Sequence, residues 1–308
     1  MNQSGSIVST YKAKDTEELL DRMFYRPIGY AMALAFKSLG LTPNAVTIIS
    51  IFVGAASGHF FYYNDLTLNF YGILLLILAQ AMDSADGQLA RITNTKSRVG
   101  RILDGFAGNL WFLSIYLHLL FRMIDNGYSP FIFLLVLIAG LSHSFQSAYA
   151  DYYRNYYLMF VHGKTNSEID ESSKLKTEYK KITWLQNFGH KFLMRIYLNY
   201  TIQQELFSKN IIRLYQLAKN KFIDNVPSEI SSKYRAKNKP LVKYFNILTT
   251  NTRMIFLFIV LFIQQPVFYF IFELTLLNIL FVYVVLKHEK NSKIIYESAN
   301  ELFAAKNK

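Results

Sequence analysis

Three aspartates and an arginine recur in a fixed pattern in the first half of the chain. Asp83 and Asp86 are three residues apart, Arg91 follows Gly87 by one helical turn, and Asp104 comes after a short polar loop. Residues three apart on a helix share a face, and the short loop would return Asp104 to them. Carboxylates that face one another repel unless cations neutralise them, and all-oxygen ligand sets suit Mg²⁺, Mn²⁺ or Ca²⁺. The pattern therefore predicts a divalent-metal site.

The residues around the aspartates suit a phosphate-bearing ligand. Gly87 and Gly100 carry no side chain, so a base, a ribose or a diphosphate could approach the backbone closely there. Arg91 offers a planar fork of donors to phosphate oxygens. A lone aspartate at the end of a span is usually solvated and a lone glycine usually packs, but the joint arrangement favours a nucleotide diphosphate bound together with the metal.

The elements that must position these residues are strongly apolar. Of the 308 residues, 52% are hydrophobic and 16% aromatic, and several nearly uncharged windows have the length that a helix needs to cross a bilayer. The chain has no cysteine, which excludes a disulfide framework and a thiolate metal site. Its net charge of +12 is spread over loops between the apolar windows, so anionic membrane lipids are the expected partner rather than nucleic acid. We predict an all-α integral membrane protein.

The apolar windows predict six transmembrane helices, preceded by an interfacial amphipathic helix within residues 15–40. Thr42 is the expected N-cap of the first span and Pro43 its first residue. The third span is expected to open at Arg101, with Asp104 in its first turn. The predicted spans are 44–63, 68–90, 101–124, 130–158, 242–263 and a sixth from the turn at 264–266 to Val285.

Charge divides the chain further and predicts its orientation. The stretch 164–243 holds 16 of the 33 Lys and Arg residues, whereas the loops at 64–67, 125–129 and 264–266 hold none. By the positive-inside rule both termini and the aspartate motif face the cytoplasm, which predicts a multi-pass protein of the bacterial inner membrane with a cytoplasmic site. The expected segments are 1–40 with the interfacial helix, 41–160 with spans one to four, a basic insertion of amphipathic helices at 161–241, spans five and six at 242–286, and a charged tail at 287–308. Within the insertion, the polar stretch 162–181 is expected to be a linker.

The pattern Asp83-x2-Asp86-Gly87-x2-Ala90-Arg91-x8-Gly100-x3-Asp104 resembles the signature of the CDP-alcohol phosphotransferase family. Leu41-Thr-Pro-Asn44 looks like the usual entry of that family to its first span. The resemblance implies a homodimeric enzyme with six transmembrane helices and Mg²⁺ or Mn²⁺ as cofactor. The hydroxyl of a small alcohol acceptor would displace CMP from CDP-diacylglycerol or another CDP-alcohol, in phospholipid biosynthesis.

The resemblance also assigns roles to residues of this sequence. Asp83, Asp86 and Asp104 would be metal ligands. The CDP site would comprise Asp83, Asp86, Gly87, Ala90, Arg91 and Gly100.

The sequence departs from the family signature at one position. The signature ends in a further aspartate four residues after Asp104, the proposed general base, and here that position is Gly108. A glycine side chain neither accepts a proton nor binds an ion. Three explanations stay open: an inactive member that binds a CDP-lipid or partner proteins, replacement of the base by another group such as Asp151, His143, a bound water or the phosphate of the acceptor, or a substitution in an otherwise intact enzyme.

Two arginines are expected to contact the acceptor. Arg154 lies near the end of the fourth span and Arg253 about ten residues into the fifth, and a phosphorylated acceptor would favour such cations. The alternative for Arg154 is a side chain that extends to the lipid headgroups. Two hypotheses follow for the protein: a transferase that releases CMP, and a noncatalytic membrane protein that binds CDP-lipid or a partner.

Overall fold

A computed structural model describes residues 15–163, 169–184, 187–221 and 226–306, and within these ranges it is helical and contains no β-strand. Six helical segments in this part of the chain are long and apolar enough to cross a membrane, which confirms the prediction of an all-α membrane protein. The side that each terminus faces stays a prediction. The six segments are Pro43–Tyr62, Leu66–Ile92, Arg98–Asp125, Ile132–His162, Ser228–Phe262 and Val267–Ala304.

The chain forms two compact units. The first consists of Glu17–Ser144 and Thr250–Thr275. It contains a π-helical turn at Asp21–Tyr25, then α1 (Arg26–Ser38), α2 (Pro43–Tyr62), α3 (Leu66–Ile92), α4 (Arg98–Asp125), the first part of α5 (Ile132–His162), α10 (Thr250–Phe262) and α11 (Val267–Phe272).

Small residues allow α2 and α4 of the first unit to approach closely. Gly54 and Gly58 are four residues apart on α2, and a Cβ at Gly58 would lie 2.8 Å from the backbone nitrogen of Ile115. A Cβ at Gly54 would overlap the ring of Trp111. Glycines at this spacing are typical of close helix pairs in membranes, where packing rather than the hydrophobic effect drives association.

Buried polar contacts and caps fix the ends of these helices. The side-chain oxygen of Thr42 accepts a hydrogen bond from the backbone N–H of Ala45 at 3.2 Å, which confirms the predicted start of α2. At the other end of the bundle the buried guanidinium of Arg122 donates to the carbonyl of Phe61 at 3.1 Å and to Oδ1 of Asn64 at 2.8 Å. Arg122 thereby ties the end of α4 to the turn between α2 and α3.

The second unit comprises residues 15–16, Phe145–Thr249 and the described part of Leu276–Lys308. It contains the remainder of α5, α6 (Ser172–Lys181), α7 (Phe188–Glu205), α8 (Lys209–Lys221), α9 (Ser228–Ile247) and α12 (Asn278–Lys306), which follows a second π-helical turn at Glu273–Leu277. Helix α12 packs against α8 and α9.

Hydrogen bonds within the second unit show that the basic insertion is folded. The carboxylate of Glu205 accepts from the backbone N–H of Ser172 at 2.8 Å, and the hydroxyl of Tyr197 donates to Asp170 at 2.6 Å. The ammonium of Lys219 hydrogen-bonds to Glu171 and lowers the pKa of that carboxyl group. These contacts join α6, α7 and α8 through side chains rather than through apolar burial alone.

Several element boundaries differ from the predicted ones. Helix α4 begins at Arg98 because Ser97 caps it, accepting from the N–H of Gly100 at 2.9 Å, so Asp104 lies in the second turn rather than the first. The stretch before Lys181 was predicted as a linker, yet it contains α6. Helix α9 crosses the predicted boundary at 241/242 and α12 crosses that at 286/287, so the expected charged tail is helical as far as Lys306. The division into domains itself stays a prediction.

Candidate metal and nucleotide site

The structure brings the three predicted metal ligands together. Asp83 and Asp86 come from the end of α3 and Asp104 from the start of α4, and one carboxylate oxygen of each lies within 4.8 Å of the others. The side chain of Asp86 is buried, Asp83 is half-buried and Asp104 is exposed. The cluster therefore extends from the interior of the first unit to its surface.

Asp86 is held in place from a third helix. The hydroxyl of Thr47, in the second turn of α2, donates to Oδ2 of Asp86 at 2.5 Å. A hydrogen bond to an ionised carboxylate is stronger than one between neutral groups, so it orients Asp86 toward its neighbours. Sequence reasoning missed Thr47. Its position one turn after the Pro43 start of the span was the signal available.

Helix α1 packs directly on the helix that carries the signature. A Cβ at Gly29 would lie 2.7 Å from Oγ of Ser84, so only glycine permits this approach, and Gln88 donates to the carbonyl of Arg26 at 3.1 Å. Arg26 in turn pairs with Glu17 at 2.6 Å. Gly29 and Ala33 are both buried and four residues apart, a spacing that could have predicted a contact surface on α1.

Arg91 provides an observation that favours an anionic ligand. Its Nε is buried and has no hydrogen-bond partner within the part of the chain that the structure describes. The guanidinium interacts electrostatically with Asp86 and Asp104, so it lies near the cluster. A buried donor without a partner is costly, and a phosphate oxygen would supply the missing acceptor.

The two motif glycines also make room for protein side chains. A Cβ at Gly87 would lie 3.4 Å from Nη2 of Arg91, and a Cβ at Gly100 would lie 2.8 Å from Oδ1 of Asn44. Gly100 thus leaves room for the Asn44 side chain at the start of α2, which would have to shift if position 100 carried a Cβ. Ala90, the remaining predicted CDP residue, is half-buried on α3.

Gly108 faces open space. Apart from its chain neighbours and the backbone of its own helical turn, no described atom lies within 4 Å of the position that a Cβ would occupy there, and the same holds for Gly105. An aspartate side chain at position 108 would therefore need no repacking of its neighbours.

The two proposed replacements for the base already have partners. His143 is buried, its Nδ1 lies 3.1 Å from the hydroxyl of Tyr116, and its ring lies edge-on to Phe112 with centroids 4.5 Å apart. Asp151 belongs to the second unit, where it accepts from Arg154 at 3.4 Å and from Asn155 at 3.2 Å. Their assignment as substitutes stays a prediction.

The two predicted acceptor-binding arginines occupy different environments. Arg154 lines a small cavity of the second unit with Tyr157, Asn238 and His288, and this cavity has room for about one water molecule. Arg253 lies within the first unit, where it is completely buried and its Nε donates to Oε1 of Glu273 at 2.8 Å. Both assignments to the acceptor stay predictions.

Sequence reasoning missed Glu273, although a signal was present. Arg253 lies ten residues before Ile263 and Glu273 ten residues after it, and the chain turns at Gln264, which has a positive φ of 57°. Antiparallel helices joined by a tight turn place such residues side by side. A cation and an anion at matching depths in two apolar helices therefore predict a pair.

The three aspartates fit a divalent ion. Opposite oxygen ligands of Mg²⁺ lie about 4.2 Å apart, since each Mg–O distance is about 2.1 Å. The observed limit of 4.8 Å is slightly wider, so small rotations of exposed Asp104 would bring the oxygens within reach. Hard carboxylate oxygens are the ligands that Mg²⁺ and Mn²⁺ prefer. The donor set and its spacing both suit such an ion.

Comparison with known proteins supports the family that the aspartate pattern resembles. Residues 40–163 match the family model described as CDP-alcohol phosphatidyltransferase. The matched range contains α2, α3, α4 and all of α5, and with them every member of the aspartate motif. Residues 40–163 are thus a domain that matches the CDP-alcohol phosphatidyltransferase family.

Two relatives are similar to part of this chain. An uncharacterized protein of Aquifex aeolicus is 31% identical over 99 residues, which cover 31% of this chain and 49% of the relative. An archaetidylinositol phosphate synthase of Pyrococcus horikoshii is 40% identical over 67 residues, which cover 22% of this chain and 34% of that protein. The chain therefore spans half or less of the length of the curated relatives that it matches.

Proposed function

We propose that this protein transfers a substituted phosphate group from a CDP-linked donor to an alcohol acceptor and releases CMP, as a step of phospholipid synthesis. The observation that carries the proposal is the gathering of Asp83, Asp86 and Asp104 within 4.8 Å, inside the domain that matches the family. In the reaction the acceptor oxygen bonds to the donor phosphorus, the bond from phosphorus to the CMP oxygen breaks, and the hydroxyl proton passes to a base.

The side chains of the site divide this work among themselves. Asp83, Asp86 and Asp104 would hold Mg²⁺ or Mn²⁺, which would neutralise diphosphate charge as it builds up on the leaving CMP. Arg91 would donate its unpartnered Nε to a diphosphate oxygen. Thr47 keeps Asp86 in position from α2. The small residues Gly87 and Ala90, within about one turn of Arg91 on α3, would lie beside the nucleotide.

CDP-diacylglycerol is the donor that we propose, because the site lies on membrane-spanning helices. A phosphorylated alcohol is the proposed acceptor, with Arg154 or Arg253 as the cation that contacts it. The name of the Pyrococcus relative adds an inositol-containing acceptor to the panel worth testing. A homodimer in the bacterial inner membrane, with this site on the cytoplasmic side, completes the proposal.

A second candidate function rests on Gly108. If no other group accepts the proton, the protein would bind a CDP-lipid through the aspartates and Arg91 without transferring the phosphoryl group. General-base catalysis is worth about 10²- to 10⁴-fold in rate, so its absence is compatible with slow turnover as well as with binding alone.

The deciding experiment measures CMP release in lipid vesicles by the natural chain and by Gly108→Asp, with Mg²⁺, with Mn²⁺ and with a chelator. Because the side chain at 108 would enter open space one turn beyond Asp104, we expect the substitution to raise turnover by about 10²- to 10⁴-fold. Gly105→Asp is the matched control, since it adds the same charge to open space on the same helix.

The outcomes distinguish the transferase from the binding protein. Metal-dependent CMP release by the natural chain supports the transferase, and its absence across glycerol phosphate, inositol phosphate and neutral alcohols, with CDP-diacylglycerol binding retained, leaves the binding protein. Equal turnover of the natural chain and Gly108→Asp would show that position 108 has no bearing on proton transfer.

A further inference from the structure

An apolar surface lies on the folded insertion, outside the six candidate spans. Along α7 and just beyond its end, exposed residues recur every three or four positions, at 188, 192, 195, 199, 202 and 206, and four of these six are apolar. The turn before α7 adds Trp184, which is 43% exposed. We name this surface the outer face of α7, and it consists of Trp184, Phe188, Phe192, Ile202 and Leu206. Helix α7 is not among the six candidate spans, so contact with the lipid tails that surround a transmembrane helix does not explain why these side chains are exposed.

The outer face is a fixed surface rather than a loose segment. The opposite side of α7 is buried through Met194, Leu198 and Thr201, which sets the rotation of the helix. The rings of Trp184, Phe188 and Phe192 follow one another, with centroids 5.5 Å and 6.3 Å apart. Three aromatic side chains are thus aligned along one edge before any partner binds.

Lys191 holds the tryptophan end of this surface. Its ammonium donates to the carbonyl of Ile182 at 2.6 Å and lies 5.3 Å from the ring of Trp184. The same ammonium lies 4.9 Å from the ring of Tyr179 at the end of α6. The turn between α6 and α7 is therefore fastened to α7 by a cation that spans both elements.

All Asp, Glu, Lys and Arg residues in the stretch of sequence that carries most of the outer face are basic. No Asp or Glu occurs between Glu178 and Glu205, whereas Lys180, Lys181, Lys191 and Arg195 all lie in that interval. Lys181 and Arg195 are exposed, and Arg195 follows Phe192 by three residues, so it borders the outer face on the same side of α7. Aromatic side chains beside exposed lysine and arginine match the interface of a bilayer, where rings lie at the level of headgroups and cations meet lipid phosphates.

We propose that the outer face of α7 docks on an anionic phospholipid surface, with Trp184, Phe188 and Phe192 at headgroup depth and Lys181 and Arg195 against lipid phosphates. This contact is independent of the CDP chemistry and goes beyond it, because it requires neither the aspartates nor a nucleotide. The charge of the face favours an anionic lipid surface over a second copy of this basic chain, which would bring like charges together.

Trp184 supplies a direct readout of the docked state. The chain has two tryptophans, and Trp111 is buried in the core of the first unit. Subtracting the emission spectrum of Trp184→Phe from that of the natural chain therefore isolates the emission of Trp184. The full chain is placed in vesicles of phosphatidylcholine with or without phosphatidylglycerol, and Trp184 emission is quenched by iodide in the water or by brominated lipid in the bilayer. We expect a blue shift, protection from iodide and quenching by lipid bromine when phosphatidylglycerol is present.

Charge reversal tests the electrostatic part of the proposal. Each basic residue near an anionic surface raises the ratio of docked to undocked protein about fivefold. Lys181→Glu and Arg195→Glu should therefore each lower that ratio by more than about fivefold, because the new carboxylate also repels the lipid phosphates. The matched control is Lys176→Glu with Lys209→Glu, two exposed lysines of the same insertion outside the interval around α7. High salt should reproduce the loss.

Two results would overturn the proposal. If iodide quenches Trp184 to the same degree in neutral and anionic vesicles, and brominated lipid quenches it in neither, the outer face makes no contact with lipid. Protection from iodide without quenching by lipid bromine, lost on dilution of protein in lipid, would show that a second copy covers the face instead.

Discussion

Two charged clusters in the first unit show how differently a membrane protein treats buried charge. Arg253 and Glu273 are of opposite sign, lie 2.8 Å apart and are both completely buried. Asp83, Asp86 and Asp104 are of the same sign, approach within 4.8 Å and range from buried to exposed. The first cluster is electrically complete within the protein, whereas the second brings like charges together at a surface that a ligand can reach.

The contrast separates structural charge from functional charge. Removing one partner of a buried pair leaves an uncompensated ion in an apolar setting, so such a pair resists change for reasons of stability. Carboxylates that repel one another gain stability from a cation, so they are maintained for binding and at some expense to the fold. Substitutions in the two clusters should therefore affect different measurements.

The largest effect is expected for Asp86→Asn. The amide keeps the shape of the carboxylate but loses its charge, and metal stabilisation of a phosphoryl group is worth several kcal/mol, so CMP release should fall about 10³-fold. Thermal stability should stay equal or rise, because like-charge repulsion decreases. Metal titration by calorimetry and CMP release on the same sample provide the two measurements. A variant that retains metal affinity and turnover would remove Asp86 from the site.

Arg253→Met should act on stability instead. It leaves Glu273 buried without its partner, and breaking a buried pair in this way costs about 3–5 kcal/mol of unfolding free energy. Denaturant unfolding in lipid–detergent micelles measures the loss, and Arg253→Met combined with Glu273→Leu should recover most of it. If Arg253 instead contacts the acceptor, the single variant would raise the KM for the acceptor without a loss of stability, and the double variant would not restore it.

Thr47→Val should have the smallest effect of the three. The substitution removes the hydroxyl that orients Asp86, and loss of a group that orients a metal ligand typically costs about 10- to 100-fold in metal affinity. Ser50→Ala is the control, because it removes a hydroxyl one turn later on α2 that binds only the carbonyl of Thr47. Equal metal affinities for the two variants would show that Thr47 serves packing alone.

The sequence predicted the elements whose signals are local. The six spans follow from long apolar windows, and the cap at Thr42 from a polar residue directly before Pro43. The aspartate cluster was predictable because two of its members share a helical face and a short loop returns the third. These predictions need only periodicity and chain length.

The features that sequence reasoning missed depend on contacts between distant segments. Thr47 reaches Asp86 across 39 positions, and Asn44 occupies the space that Gly100 leaves. Composition also misled in the polar stretch before Lys181, since α6 is stabilised by Glu205 and Lys219 from later helices as well as by burial of Leu175. Tertiary hydrogen bonds outweigh local propensity in such places.

The open space at Gly108 has a consequence for the history of this protein. Glycine and aspartate codons differ by one base, and both residues are weak helix formers, so α4 would tolerate either with little change in its stability. Because no described atom beyond the same turn of α4 lies within 4 Å of the Cβ position, neither direction of the exchange requires a compensating mutation. A lineage could therefore move between glycine and aspartate at this site in a single genetic step, with natural selection acting on chemistry alone.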